Sequence, residues 1–396
     1  MLQGKTVVLG VTGSIAAYKI ANLASMLVKQ HCDVHVAMTE NATNFINPIT
    51  FETLTKNKCL VDTFDRNFQF HVAHVSLAQK ADVMMIAPAS ANIIAKLAHG
   101  IADDMLSTLS LACSSPIILS PAMNVHMYQN QIVQDNLKKL QQFGFTIIDP
   151  VSGMLACREE GVGKMPSESV LFDYIIREIA CKKDLIGKKI LITAGPTREE
   201  IDPVRFISNH STGKMGYALA KRAMLRGAEV TLVTGPTSLE TPPFLKVIPV
   251  ISANDMYEAV TELFDEQDIV IKSAAVADYR PKNVSTEKIK KKDEDMVIAL
   301  NRTQDILAYL GSVKKPHQFI CGFSMETQNL IKNSREKLMR KEIDMIVANN
   351  LNEEGAGFGT DTNIITIITK DNEVYLPLMS KEMAADEILT TIRNSL

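Results

Sequence analysis

Short β-branched runs alternate with longer amphipathic stretches along the whole chain, and the alternation begins a second time near its middle. In the first half the runs are Thr6–Val11, Asp33–Met38, 82–87, 115–120 and 145–149. Each is apolar almost throughout, as a strand buried on both faces should be. The stretch 14–30 reads as a helix, with Ile15, Leu23 and Leu27 on one face and Ser14 as its N-cap. This alternation predicts an α/β fold, a doubly wound parallel sheet with helices on both faces. Gly187-Lys188-Lys189 then leads into 190–194 much as Gly4-Lys5 leads into Thr6–Val11. Further strands are expected at 229–233, 268–272, 319–322 and 344–348. A crossover helix is expected at 211–226, with Gly227 as its C′ residue. The runs 363–369 and 373–378 read as an antiparallel hairpin around Lys370-Asp371-Asn372. With a helix at 169–183 as the last element of the first half, the seam falls at residue 186. The expectation is two doubly wound units, 1–186 and 187–396.

Composition narrows the function classes. A net charge of −3 argues against a phosphate-backbone binder, which needs a strongly basic face. The cysteines Cys32, Cys59, Cys113, Cys157, Cys181 and Cys321 form no C-x-x-C pair and no disulfide-scaffold rhythm. No apolar run reaches the roughly 18 residues of a membrane span, and Met1-Leu2-Gln3-Gly4-Lys5 lacks a signal-peptide core. A soluble cytoplasmic enzyme or binding protein is the expectation. Two segments fit no regular element: 151–167, with Gly153, Gly161, Gly163 and Pro166, and 286–295, with its lysine run. Either is a functional flap or an unstructured loop.

Several motifs fall where strands should end. Gly10-Val11-Thr12-Gly13-Ser14 is either a tight turn or an anion site at a helix start; its spacing is not G-x-G-x-x-G. Ser208-Asn209-His210-Ser211-Thr212-Gly213-Lys214-Met215-Gly216 opens a helix with a Gly-Lys pair. Ser208 and Met215 stand where a P-loop needs glycine and Ser/Thr, so it is not one, yet it can hold a phosphate or carboxylate. Gly195-Pro196-Thr197 and Ala274-Ala275-Val276-Ala277-Asp278 place small residues at two strand ends of one sheet, where a nucleotide-sized ligand could approach the backbone. Cys157 sits beside Arg158 in the glycine-flanked loop, as a reactive thiol or an inert one. His74 reads as an acid–base residue or an ordinary histidine. The run Lys288-Ile289-Lys290-Lys291-Lys292, with Lys337, Arg340 and Lys341, is either a solvated face or a source of triphosphate charge.

Further markers are Ala87-Pro88-Ala89-Ser90-Ala91-Asn92, Gly100-Ile101-Ala102-Asp103-Asp104, Pro121-Ala122-Met123-Asn124, Ala156-Cys157 and Gly322-Phe323. With the motifs above, they make essentially the whole chain resemble the bifunctional family of coenzyme A biosynthesis in which phosphopantothenoylcysteine decarboxylase is fused to phosphopantothenate–cysteine ligase. The resemblance implies a flavodoxin/Rossmann-like flavoprotein domain and a Rossmann-like ligase domain. In the first it implies FMN, with its phosphate at Gly13-Ser14, and Thr39, Ser90, Asn92 and Ser107 lining the flavin site. His74 is implied as the acid–base group of the oxidative step, Asn124 as the residue orienting the substrate carboxylate, and Cys157 as the final proton donor. Oxidising the substrate thiol supplies the electron sink that a cysteine amide lacks for losing carbon dioxide.

For the second domain the resemblance implies CTP-dependent joining of 4′-phosphopantothenate and cysteine through an acyl-cytidylate, with magnesium. Asn209 is assigned to the acyl intermediate, Lys288 to its formation or turnover and Arg205 to the pantothenate moiety. Ala274, Ala275, Val276, Asp278, Gln304, Asp305, Ile306, Leu307, Phe323, Lys337 and Lys341 match CTP positions. Trimeric flavoprotein contacts and dimeric ligase contacts, hence a homo-oligomer, are implied as well. The chain departs from the family pattern after Cys157, where Arg158 and Lys164 stand in place of a glycine and an arginine. That bears on flap closure, since lysine lacks the arginine fork. A flavin-binding regulatory subunit would have no need of His74, Asn124 and Cys157 together. A nicotinamide-dependent reductase lacks its fingerprint here, and a protein active only as the ligase remains a further reading.

Overall fold

The computed structural model describes residues 2–63, 73–154, 160–291, 295–326, 328–350, 357 and 359–396. At Ala73, His74, Met154, Glu160, Glu326 and Asn350 it describes the backbone only. The chain divides into two compact units, Met1–Lys182 and Lys183–Leu396.

In the first unit, β1 (Thr6–Val11), β2 (Asp33–Met38), β3 (Val83–Ala89), β4 (Ile117–Pro121) and β5 (Thr146–Ile147) form one parallel sheet in the order 2-1-3-4-5. The period of two in β1 divides its side chains between two cores. Val7, Leu9 and Val11 pack with Leu23 and Leu27 of α1 (Lys19–Lys29) and Phe51 of α2 (Pro48–Thr55). Val8 packs on the other face, with Leu77 of α3 (Ala73–Lys80), Ile93 and Leu97 of α4 (Ala91–His99) and Leu106 of α5 (Met105–Ala112). The short α6 (Val125–Gln129) and then α7 (Gln131–Gln142) follow β4, and Leu137 and Leu140 of α7 join this second core. The stretch at 151–167 contains an antiparallel pair, β6 (Val151–Met154) and β7 (Glu160–Lys164). After it, α8 (Glu168–Ile179) returns Leu171 and Ile175 to the first core. Ile15 does not join the α1 face. The chain enters through a 3₁₀ turn, Ile15–Tyr18, whose phase differs from that of the helix, and Ile15 is 58% exposed.

In the second unit, β8 (Lys189–Ala194) begins the sheet and a hairpin of β9 (Arg198–Asp202) and β10 (Arg205–Ser208) follows it. Next come α9 (Lys214–Leu225), β11 (Glu229–Thr234), β12 (Lys246–Pro249), α10 (Ala253–Leu263) and β13 (Ile269–Lys272). A small outlying pair, β14 (Tyr279–Pro281) and β15 (Leu300–Arg302), precedes α11 (Ile306–Val313) and β16 (Phe319–Glu326). The chain ends with α12 (Leu330–Arg340), β17 (Met345–Asn350), β18 (Thr362–Thr369), β19 (Glu373–Ser380) and α13 (Lys381–Ser395). The sheet order is β12-β11-β8-β13-β16-β17-β18-β19, parallel until β18 and β19 close it as an antiparallel hairpin. Counted within the unit, the parallel strands run 3-2-1-4-5-6, the doubly wound dinucleotide-fold order. Leu191, Val233, Val270, Ile320 and Ile346 meet α10, α11 and α12 on one face, and α9 packs against α13, β8 and β11.

Where expectation and structure differ, the causes are local. Residues 183–186 belong with the second unit: Lys183 Nζ donates to the Leu225 carbonyl at 2.7 Å, and Asp184 pairs with Arg226 at 2.8 Å. The crossover helix starts at Lys214 rather than 211, because Gly213 caps it in the left-handed region at φ +82°. Gly227 takes the C′ place expected of it, at φ +93°. The β9–β10 and β14–β15 pairs escaped the sequence reading because they carry charged or solvent-facing residues and no buried alternation.

Candidate active sites

Open α/β sheets bind ligands outside the carboxyl ends of their strands, at the point where strand order reverses. In the first unit that point lies between β1 and β3. Thr12, fully buried after β1, donates its hydroxyl to the Pro88 carbonyl at 2.7 Å and accepts the Ser90 N–H at 2.9 Å, tying the two strand-end loops together. Ser14 then caps the 3₁₀ turn, and Ser90 caps α4. Thr39 stands at the end of β2, where its N–H donates to the Val11 carbonyl at 3.0 Å, and Asn92 lies exposed in the first turn of α4. These expected flavin residues therefore share one sheet edge.

Two residues behave otherwise. Gly10 serves helix–sheet packing, since a Cβ there would meet Leu106 Cδ1 at 2.6 Å. The Ser107 hydroxyl is buried and taken up by a capping box, donating to Asp104 Oδ1 at 2.9 Å and accepting the Asp104 N–H at 3.2 Å.

Asn124 caps α6 after β4, its Oδ1 accepting the His126 N–H at 2.8 Å. The β6–β7 pair lies over this segment: Met123 N–H donates to the Gly163 carbonyl at 3.1 Å. Only glycine fits at 163, because a Cβ would meet the Met123 oxygen at 2.4 Å. Lys164 is exposed. Cys157 and Arg158 lie outside the described residues, as does the side chain of His74 in the first turn of α3.

In the second unit the reversal lies between β8 and β13. Thr193 Oγ1 accepts the Ala274 N–H at 3.1 Å, Thr197 Oγ1 accepts the Ala277 N–H at 3.0 Å, and the Ala275 N–H donates to the Gly195 carbonyl at 3.0 Å. Beyond this lacing lies a cleft with two adjoining lobes. The first, about 380 Å³, is lined by Asn209, Gly213, Lys214, Ala274, Ala275 and Val276 among others. The second, about 640 Å³, is lined by Asp278, Gln304, Asp305, Ile306, Leu307, Phe323, Lys337, Arg340 and Lys341, among others. Asn209 Nδ2 donates to the Ala275 carbonyl at 3.0 Å. Lys337 donates to the Phe323 carbonyl at 2.9 Å, Lys341 pairs with Asp305, and Lys214 pairs with Asp361 at 2.7 Å.

Arg205 and Lys288 stand apart from the other expected residues and line neither lobe. Arg205 pairs with Asp202, and Lys288 is exposed on the segment between β14 and β15.

A residue that sequence reasoning missed joins the cleft instead. Lys272 ends β13 and borders both lobes, and its ammonium makes no hydrogen bond or ion pair with any described residue. Burial, then the neighbouring Lys337 ammonium, lowers its pKa from 10.5 to about 8. Its signal in the sequence is a lysine closing the apolar run Ile269-Val270-Ile271.

Folds and sites together define a two-unit α/β enzyme, with laced strand-end loops at the reversal point of each sheet and a ligand cleft beyond those of the second, a flavoprotein unit preceding a nucleotide-fold unit. Family models agree: "Flavoprotein" matches residues 1–180, and "DNA/pantothenate metabolism flavoprotein C-terminal domain" matches residues 185–396. The chain is 48% identical over 396 residues to the coenzyme A biosynthesis bifunctional protein CoaBC of Bacillus subtilis (strain 168), covering 99% of this chain and 97% of that one. With the CoaBC of Escherichia coli (strain K12) the identity is 41% over 396 residues, covering 98% of each chain. A crystal structure of the C-terminal domain of a CoaBC is 47% identical and covers 54% of this chain and 98% of that chain, with a TM-score of 0.47. The chain belongs to the CoaBC family of bifunctional coenzyme A biosynthesis proteins. It is a bifunctional enzyme, a phosphopantothenate–cysteine ligase and a phosphopantothenoylcysteine decarboxylase.

Proposed function

We propose that the second unit, residues 183–396, joins cysteine to 4′-phosphopantothenate at the expense of CTP, and that the first, residues 1–182, then decarboxylates 4′-phosphopantothenoylcysteine to 4′-phosphopantetheine with FMN. The observation that carries this division is the cleft of the second unit. Asn209, Ala274, Ala275, Val276, Asp278, Gln304, Asp305, Ile306, Leu307, Phe323, Lys337 and Lys341, far apart in sequence, all line it.

A carboxylate is a poor electrophile. Attack of the phosphopantothenate carboxylate on the α-phosphorus of CTP expels pyrophosphate and gives an acyl-cytidylate, from which the cysteine amine displaces CMP. Charge builds first on phosphate and then on the acyl oxygen, so fixed cations and donors are what the site must supply. Lys337, Lys341 and Arg340 supply charge to the triphosphate, the Asn209 amide donates to the acyl oxygen, and Lys288 assists formation or turnover of the intermediate. Among the described residues no group of three or more His, Cys, Asp or Glu could hold a metal. Magnesium would enter with the triphosphate, whose oxygens would supply most of its ligands, and Asp278 and Asp305 are the carboxylates lining the cleft that could complete its shell.

For FMN the fit is the laced edge at β1 and β3. Helical turns open there at Ser14 and Ser90, and Gly13, Thr39 and Asn92 stand at the same edge. FMN, when bound, supplies the hydride acceptor that this decarboxylation needs. Ser107 acts on that site through the Asp104 capping box, which fixes the start of α5. His74 moves the proton of the oxidative step, the Asn124 amide donates to the substrate carboxylate, and the Cys157 thiol returns a proton to carbon at the end. A homo-oligomer and a cytoplasmic location complete the reading. The exposed Val204, Phe206, Tyr279 and Leu300 favour subunit contacts on the second unit. No helix among the described residues is long and apolar enough to cross a membrane.

The test supplies each half-reaction separately. Cys157→Ser is expected to slow decarboxylation of added phosphopantothenoylcysteine by roughly 10²–10⁴-fold and to leave ligation unchanged. A parent rate would remove Cys157 as the proton donor. Gly163→Ala pushes β7 off Met123 and is expected to cost decarboxylation about tenfold or more, again with ligation intact. If Gly163→Ala decarboxylates at the parent rate, close seating of β7 on Met123 is not needed.

A further inference from the structure

The turn between β9 and β10 is built on Asp202, whose side chain is withdrawn from solvent. Its Oδ1 accepts the N–H groups of Val204 and Arg205, both at 2.9 Å. The bond from Val204 closes an Asx turn, and the one from Arg205 reinforces it. Oδ2 does something further. It accepts Arg205 Nε at 3.0 Å, Arg205 Nη2 and the backbone N–H of Ile289 at 3.1 Å. Arg205 Nη2 also donates to the Ile289 carbonyl at 3.1 Å, across 84 residues of sequence. A third tie, from the Ser285 N–H to the Ile201 carbonyl at 3.0 Å, holds the same segment.

Both backbone polar groups of Ile289 are thus held by one aspartate–arginine pair, on a segment outside any helix or strand. The residue before it is Lys288. The Arg205 guanidinium keeps the Asp202 carboxyl far below the usual carboxylate range, so Asp202 is a carboxylate at neutral pH. Arg205 itself lines neither lobe of the cleft, and its guanidinium is already spent on Asp202 and Ile289.

We propose that Asp202 and Arg205 are positioning residues of the ligase, which hold Ile289 so that Lys288 is presented to the reaction from a fixed base. The inference rests on the ligation role given to Lys288 above, and it replaces direct contact of Arg205 with the pantothenate moiety. Asp202→Asn keeps an oxygen for the turn but sets an amide against the Arg205 and Ile289 donors. Arg205→Lys keeps the charge and loses the fork.

In the full-length enzyme both variants are expected to lower the ligation kcat by roughly 10–100-fold, with the CTP KM within about threefold of the parent. In a Lys288→Ala background Asp202→Asn is expected to cost little more, since it acts through Lys288. Trypsin is expected to cleave after Lys288 and Lys290 several-fold faster in Asp202→Asn, a readout independent of activity. The unchanged CTP KM marks a folded ligase unit. Unchanged kcat and unchanged cleavage overturn the proposal, as does a full additional loss in the Lys288→Ala background. A phosphopantothenate KM raised by Arg205→Lys at parent kcat and cleavage returns Arg205 to substrate binding and overturns its share. Lys288→Ala ligating at the parent rate would instead remove the reading of Lys288, and the proteolysis would then decide the docking alone.

Discussion

Ligation is expected to fall by roughly 10²–10³-fold when Asn209 is replaced by aspartate, while decarboxylation of supplied phosphopantothenoylcysteine stays within about twofold of the parent. In the parent, Asn209 Nδ2 donates to the Ala275 carbonyl, which fixes the amide at the wall of the first lobe. Aspartate is nearly the same size but has no N–H to give. Its carboxylate would face the Ala275 oxygen, and would carry negative charge into a lobe that has to receive a polyanion and a developing oxyanion. Both effects act on the same step, so the CTP KM should rise along with the loss in kcat. The check is release of pyrophosphate and of CMP, measured separately: pyrophosphate without CMP would place the residue after the acyl-cytidylate, and loss of both would place it before. Ligation within threefold of the parent would remove Asn209 from the reaction.

Much of the architecture is legible because it rests on period. Strand β1 shows why: Val7, Leu9 and Val11 face one core and Val8 the other, so a short unbroken apolar run is the signature of a strand covered on both sides. The restart at β8 and the hairpin of β18 and β19 follow from the same logic. Features outside the cores were not readable in that way. Tyr279, Arg280, Leu300, Asn301 and Arg302 in the β14–β15 pair are exposed, so no alternation announces them. Within the sites, residues at strand ends were legible, since glycine and small residues after an apolar run mark a carboxyl edge. What each contributes was less so. Gly10 belongs to helix packing rather than to an anion turn, because Leu106 comes from a distant helix. Ser107 is consumed by Asp104 three residues before it, a capping pair that the spacing Asp-x-x-Ser could have suggested. The Asx turn at Asp202 is a local pattern, but its tie to Ile289 spans 87 residues and no window of sequence contains it.

Lys272 carries the second large effect, and its consequences for binding and for stability have opposite signs. The ammonium stands at the junction of the two lobes among Lys337, Lys341, Asp278 and Asp305, without a hydrogen bond to any described residue. Lys337 and Lys341 already hold the Phe323 carbonyl and Asp305, whereas the Lys272 ammonium has no such partner among the described residues. A triphosphate would supply its missing partner. Lys272→Met is therefore expected to raise the CTP KM about tenfold or more, with decarboxylation unaffected. In the parent, CTP affinity should fall as pH rises through about 8, where the free ammonium loses its proton, and that fall should be absent in Lys272→Met.

The stability effect follows from the same shift. Below about pH 8 both folded and unfolded chains hold the proton, and the folded state bears the cost of a half-buried, partly desolvated charge. Between about 8 and 10.5 only the unfolded chain holds it, so the cost is relieved as pH rises. Ligand-free Lys272→Met should accordingly melt a few degrees higher than the parent at pH 7, with the difference shrinking towards pH 10. A variant that binds CTP as tightly as the parent would show that the triphosphate lies elsewhere in the cleft. One that binds CTP weakly but melts no higher at pH 7 would show that the ammonium is better solvated than its place at the end of β13 implies. A residue that costs the empty fold and serves the filled one is what a site selected for its ligand, rather than for stability, should contain.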